Sequence, residues 1–297
     1  MTTHPTPTGT LPSAGTRPGT RPPRPRTPPS GKTITVTTTA YLIGAVFLLP
    51  YLEMIVTALR PQNELTDRDY LPHHYAFSNF INIWHTGLGT NLRISLEVAG
   101  GATVLALLVA IPAAYYTARR RFHGRLPFLL LVLVTQMFQP TSMIVGIYQE
   151  FTNTVQINPT LALILVNAGF NLAFAVWILN AYFTAIPQEL EEAAMVDGNT
   201  RLGAMFRIII PLAAPGIVTA LIFTFIAAWN EFIVALTLTN TDSSEPLTVK
   251  MNTYLGQYST DWQHLFAGAV IATIPVIILF ALIERKVVSG LTAGSVK

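Results

Sequence analysis

The chain has 297 residues, of which 51% are hydrophobic and 11% charged, with a formal net charge of +3 at pH 7. A soluble domain carries about 25% charged residues to face water, so much of this surface must face something else. With no cysteine, structural disulfides, thiolate metal sites and thiol nucleophiles are excluded, and so small a net charge gives no footing for binding nucleic acid.

Residues 1–33 stand apart: nine prolines are interleaved with Thr, Gly and Arg, and no acidic residue precedes Glu53. Such a composition cannot bury a core, so this segment is expected to be a disordered cytoplasmic tail preceding one transmembrane domain at 34–297. It is too long for a cleavable signal peptide. Gly31-Lys32-Thr33 ends like a phosphate-binding loop, but Arg26 occupies the position of the required first glycine and no strand precedes it.

A transmembrane helix needs about 20 mostly apolar residues. Six stretches qualify, roughly 36–59, 95–118, 126–150, 161–183, 214–238 and 264–284. The expected fold class is therefore all-α, a polytopic membrane protein with six transmembrane helices. Lys and Arg set the orientation. Fourteen fall in the N-terminal tail, the second-to-third and fourth-to-fifth connections and the C-terminal tail; only Arg60, Arg68, Arg93 and Lys250 fall opposite. Both termini are thus expected in the cytoplasm, with the loop 239–263 outside.

The fourth-to-fifth connection, from Ile186-Pro187 to Pro211, carries the most information. Pro187 suits a first helical turn, and Glu189, Glu191 and Glu192 suit the positive end of a helix dipole. Gly198 offers a helix-ending conformation. The expectation is a short cytoplasmic helix whose Leu190, Ala193 and Ala194 share a smooth face, then a second helical stretch through Phe206 that stops at Pro211. A helix lying on anionic lipid favours Lys and Arg; this one is acidic at its start, and small residues suit docking into a protein groove.

Glu192-Ala193-Ala194, three residues, Gly198, nine residues, Ile208, one residue and Ile210-Pro211 resemble the EAA motif of bacterial ABC-importer permeases. Leu59-Arg60-Pro61, Phe77-Ser78-Asn79-Phe80, Tyr115-Tyr116-Thr117-Ala118-Arg119, Trp229-Asn230-Glu231-Phe232 and the final Gly290–Lys297 are similar to segments of the carbohydrate-uptake group, on its MalG-like side. Asn91-Leu92-Arg93-Ile94-Ser95-Leu96 departs from the usual Asn-Ser-Leu and is expected to shift the start of the second span. The resemblance implies a non-catalytic permease of the bacterial inner membrane. Glu192, Ala193, Ala194, Asp197, Gly198, Ile208 and Pro211 would form its coupling helix and the stretch after it. It also implies a second, homologous MalF-like permease, an ATPase dimer holding ATP and Mg, an extracytoplasmic solute-binding protein or lipoprotein, and a carbohydrate or polyol-phosphate substrate. Gly290, Gly294 and Lys297 would belong to a tail that enters the interface between the ATPases.

Polar residues inside spans are expensive in lipid. Asn167 and Asn171, one turn apart, and Trp229, Asn230 and Glu231 are candidates to line a sugar pathway. Gln136, Gln139 and Asn180 are polar too, and interhelical hydrogen bonding accounts for such residues equally well. A stand-alone secondary transporter stays open as an alternative, although such proteins often show an internal repeat of spans that is not visible here. A membrane enzyme has less support, since no His, Asp or Cys cluster is present.

Overall fold

The computed structural model describes residues 31–64, 71–120, 122–151, 157–239, 244–256 and 258–293, with backbone alone for 31–34 and 284–293. Most of the expected tail, residues 1–30, lies outside the described residues. The chain divides between Leu49 and Pro50 into two compact units. In the first, helix α1 (Gly31–Ala58) begins, and it carries no charge from Thr35 to Leu49. The second unit holds everything else.

That second unit is helical: α2 (Ser78–His85), α3 (Leu88–Arg119), α4 (Arg125–Thr135), α5 (Pro140–Gln149), α6 (Pro159–Ala185), α7 (Glu189–Val196), α8 (Arg201–Ala204), a π-helical turn Met205–Ile209, α9 (Ile210–Leu212), α10 (Ala214–Trp229), α11 (Ile233–Leu238), α12 (Leu247–Thr253) and α13 (Trp262–Ala293). Four helices, Thr35–Ala58, Leu88–Arg119, Pro159–Ala185 and Trp262–Ile283, are long and apolar enough to cross a membrane. The count reaches six if two bent pairs are each one span: α4 with α5, at 88°, and Arg201–Leu212 with α10, at 75°.

Two expected spans are corrected. The third, 126–150, is broken between Thr135 and Pro140, because Pro140 lacks an amide hydrogen and starts a new helix as its first residue. The fifth, 214–238, stops at Trp229, and α11 resumes at Ile233. The expected stop at Pro211 is corrected too: Pro211 sits inside α9, and the bend follows it at Ala213.

The core is built on α3 and α6, the most extensively packed pair. Ala99, Ala102, Ala106, Ala110, Ala114 and Ala118 recur every three or four residues, so they line one face of α3, and all are buried. Small side chains let helix backbones approach closely, the usual source of helix association in lipid. Opposite them α6 contributes Ala168, Ala175, Val176, Leu179 and Phe183. Asn180 Nδ2 donates to Thr117 Oγ1 at 2.7 Å, tying α6 to α3. This asparagine serves interhelical bonding.

The connections expected outside the membrane are tied by polar side chains. Asn79, from the Phe77–Phe80 motif, donates to the carbonyls of Ala58 and Arg60 at 3.0 Å and so completes the end of α1. Burial of the Glu64 carboxyl raises its pKa, but hydrogen bonds with the His74 side chain and the His73 and His74 amides outweigh that and hold it below the usual carboxylate range. Helix α3 starts seven residues before the expected 95. Two polar residues of the divergent 91–96 stretch tie this start down: Asn91 Nδ2 donates to the Glu245 carbonyl at 2.8 Å, and Ser95 Oγ accepts from the Leu247 amide at 2.7 Å.

Two glycines on this framework allow a paired test. A Cβ on Gly216 would lie 2.8 Å from Tyr182 Cβ and closer still to its ring, whereas the nearest atom to one on Gly101 would be Ile164 Cδ1, the end of that side chain, at 2.9 Å. Gly216→Ala is expected to cost about 1–3 kcal/mol and to lower the melting temperature in detergent, with Gly101→Ala near wild type. Equal melting of both variants would show that close approach of α10 to α6 is not what Gly216 provides.

Candidate functional site: a polar cleft and a short exposed helix

Both helix breaks open onto the same cleft. It measures about 500 Å³ and is lined by Thr135 to Pro140 from the first break, Asn167, Phe170 and Asn171 from α6, Ala227 from α10, and Glu231 from the second break. Polar side chains at both breaks are hydrogen-bonded. Glu231 Oε1 accepts from the Val234 amide at 2.7 Å and Oε2 from the Ala235 amide at 3.0 Å, so its carboxylate caps α11. Asn230 Nδ2 donates to the Ile226 carbonyl at 2.9 Å, and Gln136 Nε2 reaches the Phe170 carbonyl at 3.1 Å. Asn167 and Asn171 donate to carbonyls one turn earlier, Leu163 and Asn167.

Of the pathway candidates, Asn167, Asn171 and Glu231 therefore share the cleft. Asn230 is exposed at the end of α10, and Trp229 points elsewhere: it is 6% exposed, with its ring stacked on Phe225 at 5.7 Å. The aromatic rings at the cleft belong to Phe138 and Phe170, which the sequence reading did not single out. Their apolar surroundings gave no signal; only the break beside Phe138 exposes them. Among the described residues lining the cleft there is no Lys, Arg or His.

The second region is the loop after α6. Helix α7 ends in a Schellman motif: the Gly198 amide donates to Met195 and the Asn199 amide to Ala194, with Gly198 at φ +86°. Glu192, Ala193, Val196, Asp197 and Gly198 are exposed, while Ala194 is 3% exposed. The expected shared face of Ala193 and Ala194 is thus corrected. Adjacent helical residues point about 100° apart, so Ala194 packs inward while Ala193 stays on the surface. Ile208 lies half-buried in the π-helical turn; Pro211 is exposed.

Sequence reasoning also missed what anchors α7. Its inner residue Glu191 is buried, with Oε2 3.3 Å from Arg119 Nε and Oε1 accepting from Tyr115 Oη at 2.6 Å. Arg119 Nη1 in turn donates to the Ile186 carbonyl at 2.7 Å. Beside this group lies a pocket of about 280 Å³ lined by Arg119, Arg120, Gln188, Glu191, Glu192, Met195 and Arg201. The C-terminal candidates divide: the α13 backbone is helical through Gly290 to Ala293, whereas Gly294 and Lys297 lie outside the described residues. Among the described residues no cluster of three or more His, Cys, Asp or Glu forms a metal site.

Residues 95–292 match the family described as binding-protein-dependent transport system inner membrane component, and the chain belongs to it. It is therefore a multi-pass inner-membrane permease subunit of an ABC importer, and ATP hydrolysis is performed by separate ATPase subunits. The sulfoquinovosyl glycerol transport system permease protein SmoH of Agrobacterium fabrum is 34% identical over 253 residues, 84% of this chain and 89% of the relative. The trehalose transport system permease protein SugB of Mycobacterium tuberculosis is 34% identical over 259 residues, 86% of this chain and 94% of the relative. In fold, the chain is similar to a subunit in the crystal structure of a bacterial ABC transporter involved in the import of the acidic polysaccharide alginate. That likeness has a TM-score of 0.72 at 21% identity and covers 86% of this chain and 97% of the other.

The Schellman cap yields a local test. A β-branched residue at φ +86° is strained, so Gly198→Val is expected to cost the end of α7 about 1–2 kcal/mol, while Gly198→Asn is expected to cost less. Amide hydrogen exchange across Glu189–Asn199 should quicken in the valine variant. Exchange matching wild type would mean that the left-handed residue does not hold the helix end.

Proposed function

We propose that this permease carries a neutral di- or oligosaccharide through the cleft at its two helix breaks. The observation that carries the reading is the convergence of amide-bearing Gln136, Gln139, Asn167 and Asn171 with the Glu231 carboxylate and the Phe138 and Phe170 rings on one cleft. Sugar hydroxyls pair with amides and carboxylates, and apolar ring faces of a sugar rest on aromatic rings. The trehalose relative supports a saccharide substrate. A polyol phosphate or other acidic solute would place a negative charge beside Glu231 with no cation from the described lining to offset it.

The assembly proposed has a second, homologous permease facing this cleft, an ATPase dimer binding ATP and Mg, and an extracytoplasmic solute-binding protein or lipoprotein. The charge distribution supports cytoplasmic termini, with α7 on the ATPase side and the loop 239–263 outside. Glu192, Ala193, Val196, Asp197 and Gly198 form the surface offered to the ATPase. Residues 34–297 act as one permease domain, preceded by a separate tail whose expected last residues, 31–33, belong to α1. The end of the chain, including Gly290, Gly294 and Lys297, extends toward the ATPases; the helical continuation of α13 past its apolar segment supports this.

A single cysteine tests the substrate reading, because the native chain has none. In the assembled transporter, Gln139→Cys should react with a maleimide more slowly when maltose or trehalose is added, and at an unchanged rate with a glucuronic acid disaccharide. Glu231→Gln is expected to narrow that difference by about tenfold, equivalent to about 1.4 kcal/mol. Labelling indifferent to every sugar would remove the cleft as the pathway. Protection by the acidic sugar as strong as by the neutral one would remove the neutral-substrate reading alone.

A further inference from the structure

We propose that Glu191, Arg119 and Tyr115 are positioning residues forming the joint that passes a displacement of α7 to the α3–α6 pair. The proposal rests on α7 being the surface that the ATPase engages. The joint meets three elements at one point: Glu191 on α7, Arg119 and Tyr115 in the last turns of α3, and the Ile186 carbonyl at the end of α6. The Arg119 and Glu191 side chains are only 6% and 10% exposed. Tyr115 is held in turn by an edge-on contact with Phe183 of α6, at 6.1 Å and 90°.

A buried ion pair is a poor choice if stability alone is wanted. Desolvation offsets much of the attraction, and well-packed apolar residues often hold two elements as firmly. What the pair supplies is a defined register, since a carboxylate bridging a guanidinium and a phenol tolerates little sliding. The joint also has room to tighten. Arg119 Nε faces Glu191 Oε2 at 3.3 Å without hydrogen-bond geometry, and Arg119 Nη2 has no hydrogen-bond partner among the described residues. A small shift of α7 would bring the carboxylate onto Nε and Nη2 together, the two-bond pairing that arginine forms with carboxylates. The joint thus has two arrangements, a looser one and a forked one, and a displacement of α7 selects between them.

Downstream, α6 carries Asn167 and Asn171 into the cleft, and α3 carries Ser95, which caps α12 in the loop expected outside. Both helices run from the joint packed against each other. Movement delivered at Glu191 therefore reaches the cleft and the expected outer face without a separate linkage.

The test uses the complete transporter, with spin labels at Val196→Cys on α7 and Leu108→Cys on α3, both at exposed positions. Trapping the ATPases with ADP and vanadate should alter the mobility of the Val196 label while leaving the Val196–Leu108 distance narrow, because the joint moves α7 and α3 together. Glu191→Gln is expected to broaden that distance in the trapped state. Tyr115→Phe, which leaves both charges in place, should broaden it less, with both variants assembling at wild-type amounts. Arg119→Lys, which keeps a charge but loses the fork, should fall between wild type and Glu191→Gln. If Glu191→Gln impairs assembly, Tyr115→Phe decides. A normally assembled Tyr115→Phe transporter whose trapped distance stays as narrow as wild type overturns the joint. No response of the Val196 label in the unmodified chain would instead overturn the reading of α7 as the ATPase-facing element.

Discussion

A helix interrupted inside a membrane frees amides and carbonyls that lipid cannot satisfy, so a break is tolerated only where protein or water satisfies them. Among the described residues two such breaks occur: side chains close the second, and at the first the Thr135 hydroxyl donates to the Val132 carbonyl while Pro140 brings no amide to satisfy. Glu231 covers the amides of α11, and Asn230 covers a carbonyl of α10. Gln136 crosses from the other break to the Phe170 carbonyl. These polar groups have a structural duty that fixes where they stand, and where they stand is the wall of a cleft. The interruption of the spans and the polar lining of the cleft follow from one constraint. The first break is also where α4 and α5 bend by 88°, whereas the 75° bend between α9 and α10 is a separate one at Ala213.

The cleft and α7 share a framework. Alanines every three or four residues let α3 lie close on α6, giving a closely packed pair. One end of that pair meets α7 through the buried arginine and glutamate, and α6 bears the cleft asparagines along its length. A permease must move its passage when its ATPases move, and a closely packed pair gripped at one end is a short route between the two. The left-handed Gly198 keeps α7 compact by ending it before the chain turns into α8, so the exposed Glu192, Ala193, Val196 and Asp197 stay on one small surface.

Much of this was legible in the chain itself. Six apolar stretches, the asymmetry of Lys and Arg, and the helix-ending Gly198 follow from local composition and backbone preference, which a sequence displays directly. The EAA-like segment marked where the short helix α7 lies. The breaks were not legible, because hydropathy averages over a window and four residues around Gln136 and Gln139 barely lower it. The role of Trp229 was misjudged for a related reason: which way a ring points depends on neighbours such as Phe225, not on the polar residues beside it in the chain. Pairing Ala193 with Ala194 on one face ignored the helical period. The anchoring of α7 was invisible because Tyr115 and Glu191 lie 76 residues apart, and nothing local ties them.

The central claim is that this permease meets its ATPase through the outward surface of α7 on the cytoplasmic side. Val196 is 88% exposed there, in a chain without native cysteine. A photoactivatable crosslinker attached to Val196→Cys in the assembled transporter should join this chain to an ATPase subunit, identified by mass, and should arrest ATP-driven uptake. Crosslinking to lipid or to the extracytoplasmic binding protein, with no adduct to an ATPase, would contradict the account.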